Sequence, residues 1–252
     1  MSQQKPNPTA VVIIIGNEIL SGRTRDANIS FIGGRCDTLG VDLKEARVIQ
    51  DDQKTIVDTV NFYRKNFDYV FTTGGIGPTH DDITAASIAR AFEVELERNT
   101  EAVVAMDRYY PSGKLNEARL RMADIPLGAS LIDNPVSGAP GFQLENVFVL
   151  PGVPSIMQAM FDGIADRLVG GLPTMTMSIR TELTEGSLAV NLAKIQDDFT
   201  DVSIGSYPFF RSGMLGVNLV LRSTDEARLQ QACDRVKVMI VEMGGQLFES
   251  KE

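Results

Sequence analysis

Six consecutive apolar residues, Ala10-Val11-Val12-Ile13-Ile14-Ile15, lie near the N-terminus and stop at Gly16. A strand with one face in water alternates apolar and polar residues. A run without alternation is buried on both faces, as in the centre of a parallel sheet covered by helices on each side. The run is far too short to cross a bilayer. It therefore predicts an α/β fold before any other residue is considered.

The segments that follow keep the alternation such a sheet needs. Residues 28–39 place Ile29, Ile32, Cys36 and Leu39 at helical spacing, with Gly40 as the C-terminal cap. A strand is expected over 42–49, and a helix over 54–66 with Ile56, Val57, Val60 and Tyr63 inward. Another strand is expected over 67–73. Right-handed crossovers then give a mostly parallel sheet with helices on both faces, and ligands in such sheets bind beyond the carboxyl ends of the strands. Further helices are expected over 82–92, 100–110, 115–123 and 154–168, and short strands over 130–133 and 147–150. Gly170-Gly171-Leu172-Pro173 reads as a linker dividing a domain over 1–170 from a smaller one over 171–252. The smaller part has the order strand 175–181, helix 187–199, strands 202–207 and 215–221, helix 225–243, which suggests a ferredoxin-like α/β unit.

Composition narrows the function classes. Of the 252 residues 43% are apolar and 23% charged, values ordinary for a globular protein. A net charge of −9 weighs against nucleic acid as a partner. The polar, proline-containing start lacks the pattern of a secretory signal, and no membrane segment is expected, so the sequence predicts a cytoplasmic protein. Cys36 and Cys233 have no CxxC spacing and read as reduced thiols.

The chemistry concentrates after the third strand, in Thr73-Gly74-Gly75-Ile76-Gly77-Pro78-Thr79-His80-Asp81-Asp82. Glycines let backbone amides approach an anion, and the N-terminus of the next helix adds unpaired N–H groups and a positive dipole end. A tight turn accounts for one or two of these glycines, but not readily for three followed by proline. The loop is neither a Walker A sequence nor a GxGxxG fingerprint. Asp81 and Asp82 are expected at the start of the following helix, where either could cap it. Two carboxylates beside a phosphate repel it unless a divalent cation bridges them, so a metal-assisted site is expected. Glu18 ends another strand and joins Asp81 and Asp82 as a candidate ligand for magnesium, manganese or cobalt. Asp26 and Asn28 are expected to cap the first helix, with ligand contact as the alternative, and Asp51 and Asp52 follow the second strand. His80, the sole histidine, reads as an incidental loop residue. No arrangement suggests a covalent nucleophile.

Ile15-Gly16-Asn17-Glu18-Ile19-Leu20-Ser21-Gly22, the run Thr73 to Thr84, Ala139-Pro140-Gly141-Phe142 and Leu150-Pro151-Gly152-Val153-Pro154 resemble, in this order, the molybdopterin-binding-like domain of competence-damage-inducible protein A. The same domain, of MoaB/Mog fold, forms the N-terminal half of eukaryotic FAD synthases, and Ser206-Tyr207-Pro208 is similar to a segment that follows it there. The resemblance implies either metal-dependent hydrolysis of a nucleotide pyrophosphate such as ADP-ribose or FAD, or binding or adenylation of molybdopterin. A non-catalytic nucleotide-binding module is a third possibility. The amidohydrolase domain of full-length competence-damage proteins and the adenylyltransferase domain of FAD synthases are not expected here. Asp51 and Asp82 match acidic positions of the molybdopterin-binding active sites, which makes them the catalytic candidates. Glu18, Asp81 and Asp82 are the metal candidates. Contact with a phosphorylated nucleotide or pterin is expected from Gly16, Asn28, Thr73, Gly74, Gly75, Gly77, Pro78, Thr79, Gly138, Pro140, Gly141, Pro151 and Gly152. Ile156 stands where relatives often carry an acid. A homodimer is the default assembly.

Overall fold

The computed structural model describes residues 6–111, 114–211 and 213–248. The chain divides into two compact units, Met1–Gly171 and Leu172–Glu252. In the first, the order is β1 (Thr9–Ile15), α1 (Asn17–Leu20), α2 (Asn28–Leu39), β2 (Asp42–Ile49), α3 (Gln53–Asn66), β3 (Tyr69–Thr73), α4 (Thr84–Ala91), β4 (Leu96–Arg98), α5 (Thr100–Tyr109), α6 (Glu117–Leu120), β5 (Asp124–Pro126), β6 (Ser130–Ile132), β7 (Gly141–Leu144), β8 (Val147–Leu150) and α7 (Pro154–Gly163).

The main sheet has the order β2-β1-β3-β8-β7-β6. β1 pairs in parallel with β2 and β3, and β3 with β8, while β7 runs antiparallel to both its neighbours. β1 is buried along both faces, and its alternate residues divide between two cores. Val11, Ile13 and Ile15 pack with Ile56, Val60 and Tyr63 of α3 and Ile88 of α4. Ala10, Val12 and Ile14 pack with Ile32 and Cys36 of α2 and with Met157, Met160 and Phe161 of α7. Each fully buried isoleucine in these layers contributes about 1.5–3 kcal/mol. That is why an unbroken apolar run is stable here and would not be at a sheet surface.

The chain leaves β1 toward β2 on one side and returns to β3 on the other. The gap between the carboxyl ends of β1 and β3 is therefore the topological switch point. Three strands lie in segments without a strand pattern: β4, β5 and β7, the last beginning at Gly141 where glycine and proline suggest only a turn. The helix expected over 115–123 divides into α6 and a 3-10 turn, Arg121–Ala123.

The second unit contains β9 (Met175–Thr181), α8 (Glu185–Asp198), β10 (Ser203–Arg211), β11 (Met214–Ser223) and α9 (Glu226–Glu242), with an antiparallel sheet of order β10-β11-β9. Phe248 adds an isolated antiparallel bridge to Arg180, in the place of the fourth ferredoxin-like strand. Leu188 and Ile195 of α8 and Leu229, Val236 and Ile240 of α9 close its core over Ile179, Val217, Leu219 and Leu221. Among the described residues no helix is long and apolar enough to cross a membrane.

Candidate functional site

The glycine loop leaves β3 at the switch point and is held there by backbone geometry. Gly74 has φ +104, its N–H donates to Leu150 O at 3.1 Å, and a Cβ on it would lie 2.1 Å from Ile15 O. The loop thus ties β1, β3 and β8 at their ends. Gly75 (φ +67) faces Thr84, whose hydroxyl donates to Gly74 O at 3.0 Å and whose N–H donates to Gly75 O at 3.0 Å. These bonds fasten the loop to the first turn of α4. The requirement for glycine is steric at both positions.

Asp82 does not start the helix as expected, because α4 begins at Thr84. Its Oδ2 instead accepts the Thr79 N–H at 2.8 Å and closes the outer half of the loop. The Thr79 hydroxyl lies 2.6 Å from Asp82 Oδ2 and 2.5 Å from Asp81 Oδ1, and its single proton serves one of them at a time. Hydrogen bonding from Thr79 holds the Asp81 carboxyl below the usual carboxylate range. His80 is almost fully solvated.

Against this loop lies a crevice of about 460 Å³, in the size range of small-molecule sites. Its wall includes Glu18, Thr24, Gly74 to Gly77, Asp82, Met122, Asn134, Ser137, Ala139, Pro151 to Pro154 and Ile156. Of the residues expected from sequence, the structure brings Glu18, Gly74, Gly75, Gly77, Asp82, Pro151 and Gly152 together here. Pro140 lines an adjoining notch of about 80 Å³, and Thr73 and Asn28 line a hollow of about 50 Å³. Gly16, Asp51, Pro78, Thr79, Asp81, Gly138 and Gly141 line none of the three. Gly16 donates to Ile49 O, and Asp51 Oδ2 accepts the Asn17 N–H at 2.8 Å at the start of α1. Gly138 passes Tyr109, where a Cβ would lie 2.4 Å from the tyrosine Cβ, and Gly141 abuts Val149 O within the sheet.

The capping expectations divide in the same way. Asp52 caps α3 by accepting from the Thr55 N–H at 2.8 Å, which lowers its pKa, and Asp26 accepts from the Ile29 N–H at 2.9 Å. Asn28 does not cap: it is the first residue of α2, buried, and its Nδ2 donates to Gly152 O at 3.0 Å. Cys36 lies in the apolar core, where burial pushes its thiol up to about 12 and makes it inert.

The sequence carries no signal for Arg121 and offers Asn134 only as part of a turn rich in glycine and proline. Arg121 lines the notch beside Gly75, Gly77 and Asp82, brought there by the 3-10 turn after α6. No motif marks it. Asn134 is buried, its Oδ1 accepting from the N–H groups of Val136 and Ser137 and its Nδ2 donating to Ala139 O. The Asn-Pro step followed by serine is its sequence signal.

Glu18 and Asp82 share the crevice wall, whereas Asp81 stands outside it. Among the described residues no three histidine, cysteine or acidic side chains converge into a ready-made metal centre. Two carboxylates do suit a magnesium-like ion that completes its shell with substrate phosphate oxygens and water. Glu18 makes no side-chain hydrogen bond among the described residues, and Asp82 is tied through Oδ2 alone.

Residues 11–170 match the family described as "Probable molybdopterin binding domain", and residues 173–244 match "FAD synthase, middle domain". A probable FAD synthase of Caenorhabditis briggsae is 31% identical over 92% of this chain, and the chain spans 50% of that protein. A CinA-like protein of Geobacter sp. is 32% identical over 90% of this chain and 56% of its own length. The chain therefore spans about half the length of these named relatives. The crystal structure of the protein CinA from Thermoplasma acidophilum, titled as of unknown function, covers 63% of this chain and 98% of its own with 34% identity and a TM-score of 0.59.

Proposed function

Since this chain belongs to the family described as probable molybdopterin binding domain, with a FAD synthase middle domain behind it, we propose that its crevice hydrolyses a nucleotide pyrophosphate of the ADP-ribose or FAD class with a divalent cation. One observation carries the reading. Glu18 and Asp82 occupy the same wall as the glycine loop, and among the described residues no lysine or arginine lines that crevice. A pyrophosphate cannot sit beside two uncompensated carboxylates, so the site requires a cation.

Glu18 and Asp82 would hold such an ion, which would supply polarisation of the phosphoryl oxygen and a lowered pKa of water. The protein supplies the rest. The loop amides and the first turn of α4 hold phosphate oxygens, and Glu18, whose carboxylate has two oxygens and no hydrogen bond among the described residues, both faces the ion and takes the proton as water attacks phosphorus. The P–O bond of the bridge breaks, giving AMP and ribose 5-phosphate from ADP-ribose, or AMP and FMN from FAD. Asp51, a catalytic candidate from the resemblance, is engaged at α1 and supports the backbone of the Glu18 turn.

Incubation of the full chain with ADP-ribose and FAD over magnesium, manganese and cobalt, with products separated by chromatography, tests this. Metal-dependent AMP release is expected, and no release with any metal refutes it. The family description favours a second reading, a crevice that binds or adenylates molybdopterin. Pterin co-purifying with the chain, with no AMP released from either dinucleotide, would establish binding in place of hydrolysis.

A further inference from the structure

Behind the crevice the wall opens into the hollow of about 50 Å³, which shares Glu18, Thr24, Gly152 and Pro154 with it. Asn28 and Thr73 line the hollow and are 3% and 1% exposed, yet Asn28 Oδ1 and Thr73 Oγ1 have no hydrogen-bond partner among the described residues. Buried polar atoms are almost always paired, and two orphans at one small space indicate a polar occupant. The amide is not free to turn. Its Nδ2 donates to Gly152 O, and a flip would set oxygen against oxygen, so Oδ1 is an acceptor that needs a donor.

Size and chemistry then limit the occupant. The hollow is much the smaller of the two spaces, about 50 Å³ against about 460 Å³ for the crevice, and suits a small polar group better than a fused purine or pterin ring. Two adjacent hydroxyls fit: one donates to Asn28 Oδ1, and the other exchanges a hydrogen bond with Thr73 Oγ1. Thr73 immediately precedes Gly74, so the hollow and the glycine loop are consecutive along one stretch of backbone.

We infer that the hollow is a sugar subsite, holding the vicinal ribose hydroxyls of a nucleoside 5′-phosphate whose phosphate lies on the glycine loop. This rests on the phosphate-binding reading of that loop and adds the sugar to it. The base would remain in the larger crevice, against the apolar wall of Met122, Val153 and Ile156.

Titration calorimetry of the full chain with AMP and with 2′,3′-dideoxy-AMP, run in magnesium and in parallel in manganese and cobalt, tests it, alongside Thr73→Val. That variant keeps the shape and removes a hydroxyl that bonds nothing, so its melting temperature should equal or exceed that of the parent. AMP is expected to bind about tenfold or more tightly than the dideoxy compound, and Thr73→Val to lose most of that preference. Equal affinities in the parent chain would mean the hollow holds only water, overturning the subsite while the phosphate reading stands. A preference untouched by Thr73→Val would overturn the assigned contact. Binding of neither compound would overturn the phosphate reading and the subsite with it.

Discussion

Asp82 Oδ2 accepts the Thr79 N–H at 2.8 Å, and Asp82 lines the crevice, while Asp81, one residue earlier, is not among the residues that line it. Adjacent acids that look equivalent in sequence therefore have different surroundings. Asp82→Asn keeps an oxygen that can accept from Thr79 and loses only the charge. It is expected to lower AMP release by about 100-fold or more, as is Glu18→Gln, with the urea midpoint close to that of the parent. Asp81→Asn should stay within a few-fold of parent turnover. Equal losses at Asp81 and Asp82 would show the assignment to be wrong.

Arg121 shares a notch with Gly75, Gly77 and Asp82. If it reaches the far phosphate of a dinucleotide, charge-assisted hydrogen bonds are lost in Arg121→Gln. KM for ADP-ribose should rise by about tenfold, roughly 1.4 kcal/mol, with a smaller change for Arg121→Lys. Because the side chain is exposed, added salt should narrow the difference between parent and variant. A KM that does not move in Arg121→Gln would remove the residue from the site.

Gly74 and Gly34 predict opposite effects of the same substitution. At Gly74 an added methyl meets Ile15 O at 2.1 Å and φ is +104, so Gly74→Ala should cost about 2–4 kcal/mol through clash and strain. Gly34 lies exposed within α2 with nothing within 4 Å of a new Cβ, and alanine there should add about 0.5–1 kcal/mol. Urea denaturation of both variants measures the contrast. A neutral Gly74→Ala would mean that the loop is not pinned between β1 and β8.

The central sheet was readable because β1 is buried on both faces and the helices beside it carry clear stripes: α2 begins and ends at the residues its spacing predicts, and Gly40 takes the left-handed cap. β7 was hidden because it is four residues long and begins at Gly141, whose place is set by close approach to Val149 O, a tertiary contact with no local signal. Glu18 and Asp82 could be identified as candidates from their motifs, but their separation from Asp81 depends on α4 starting at Thr84, and propensity does not fix a boundary to two residues. Arg121 arrives by the 3-10 turn, and Asn28 turns to Gly152, 124 residues away. Long-range approaches of that kind are made by the fold and leave no spacing to read.

In the second unit Arg228 grips Asp201 with two nitrogens, Nε at 2.8 Å and Nη2 at 2.9 Å, and lies over the Phe199 ring at 4.5 Å. The guanidinium holds the Asp201 carboxyl below its usual value. A depressed folded-state pKa stabilises above the unfolded value, about 3.9, and that contribution is lost as pH falls through the folded value. Asp201→Asn should therefore melt below the parent at neutral pH, with the gap closing as the pH drops below about 4. Both side chains are more than a third solvated or close to it, so screening keeps the effect small and 1 M salt should shrink it further. Hydrogen exchange in α9 of the intact chain reports the same pair without requiring the two units to unfold together. If the gap instead widened toward low pH, the pair would not be the source of the difference.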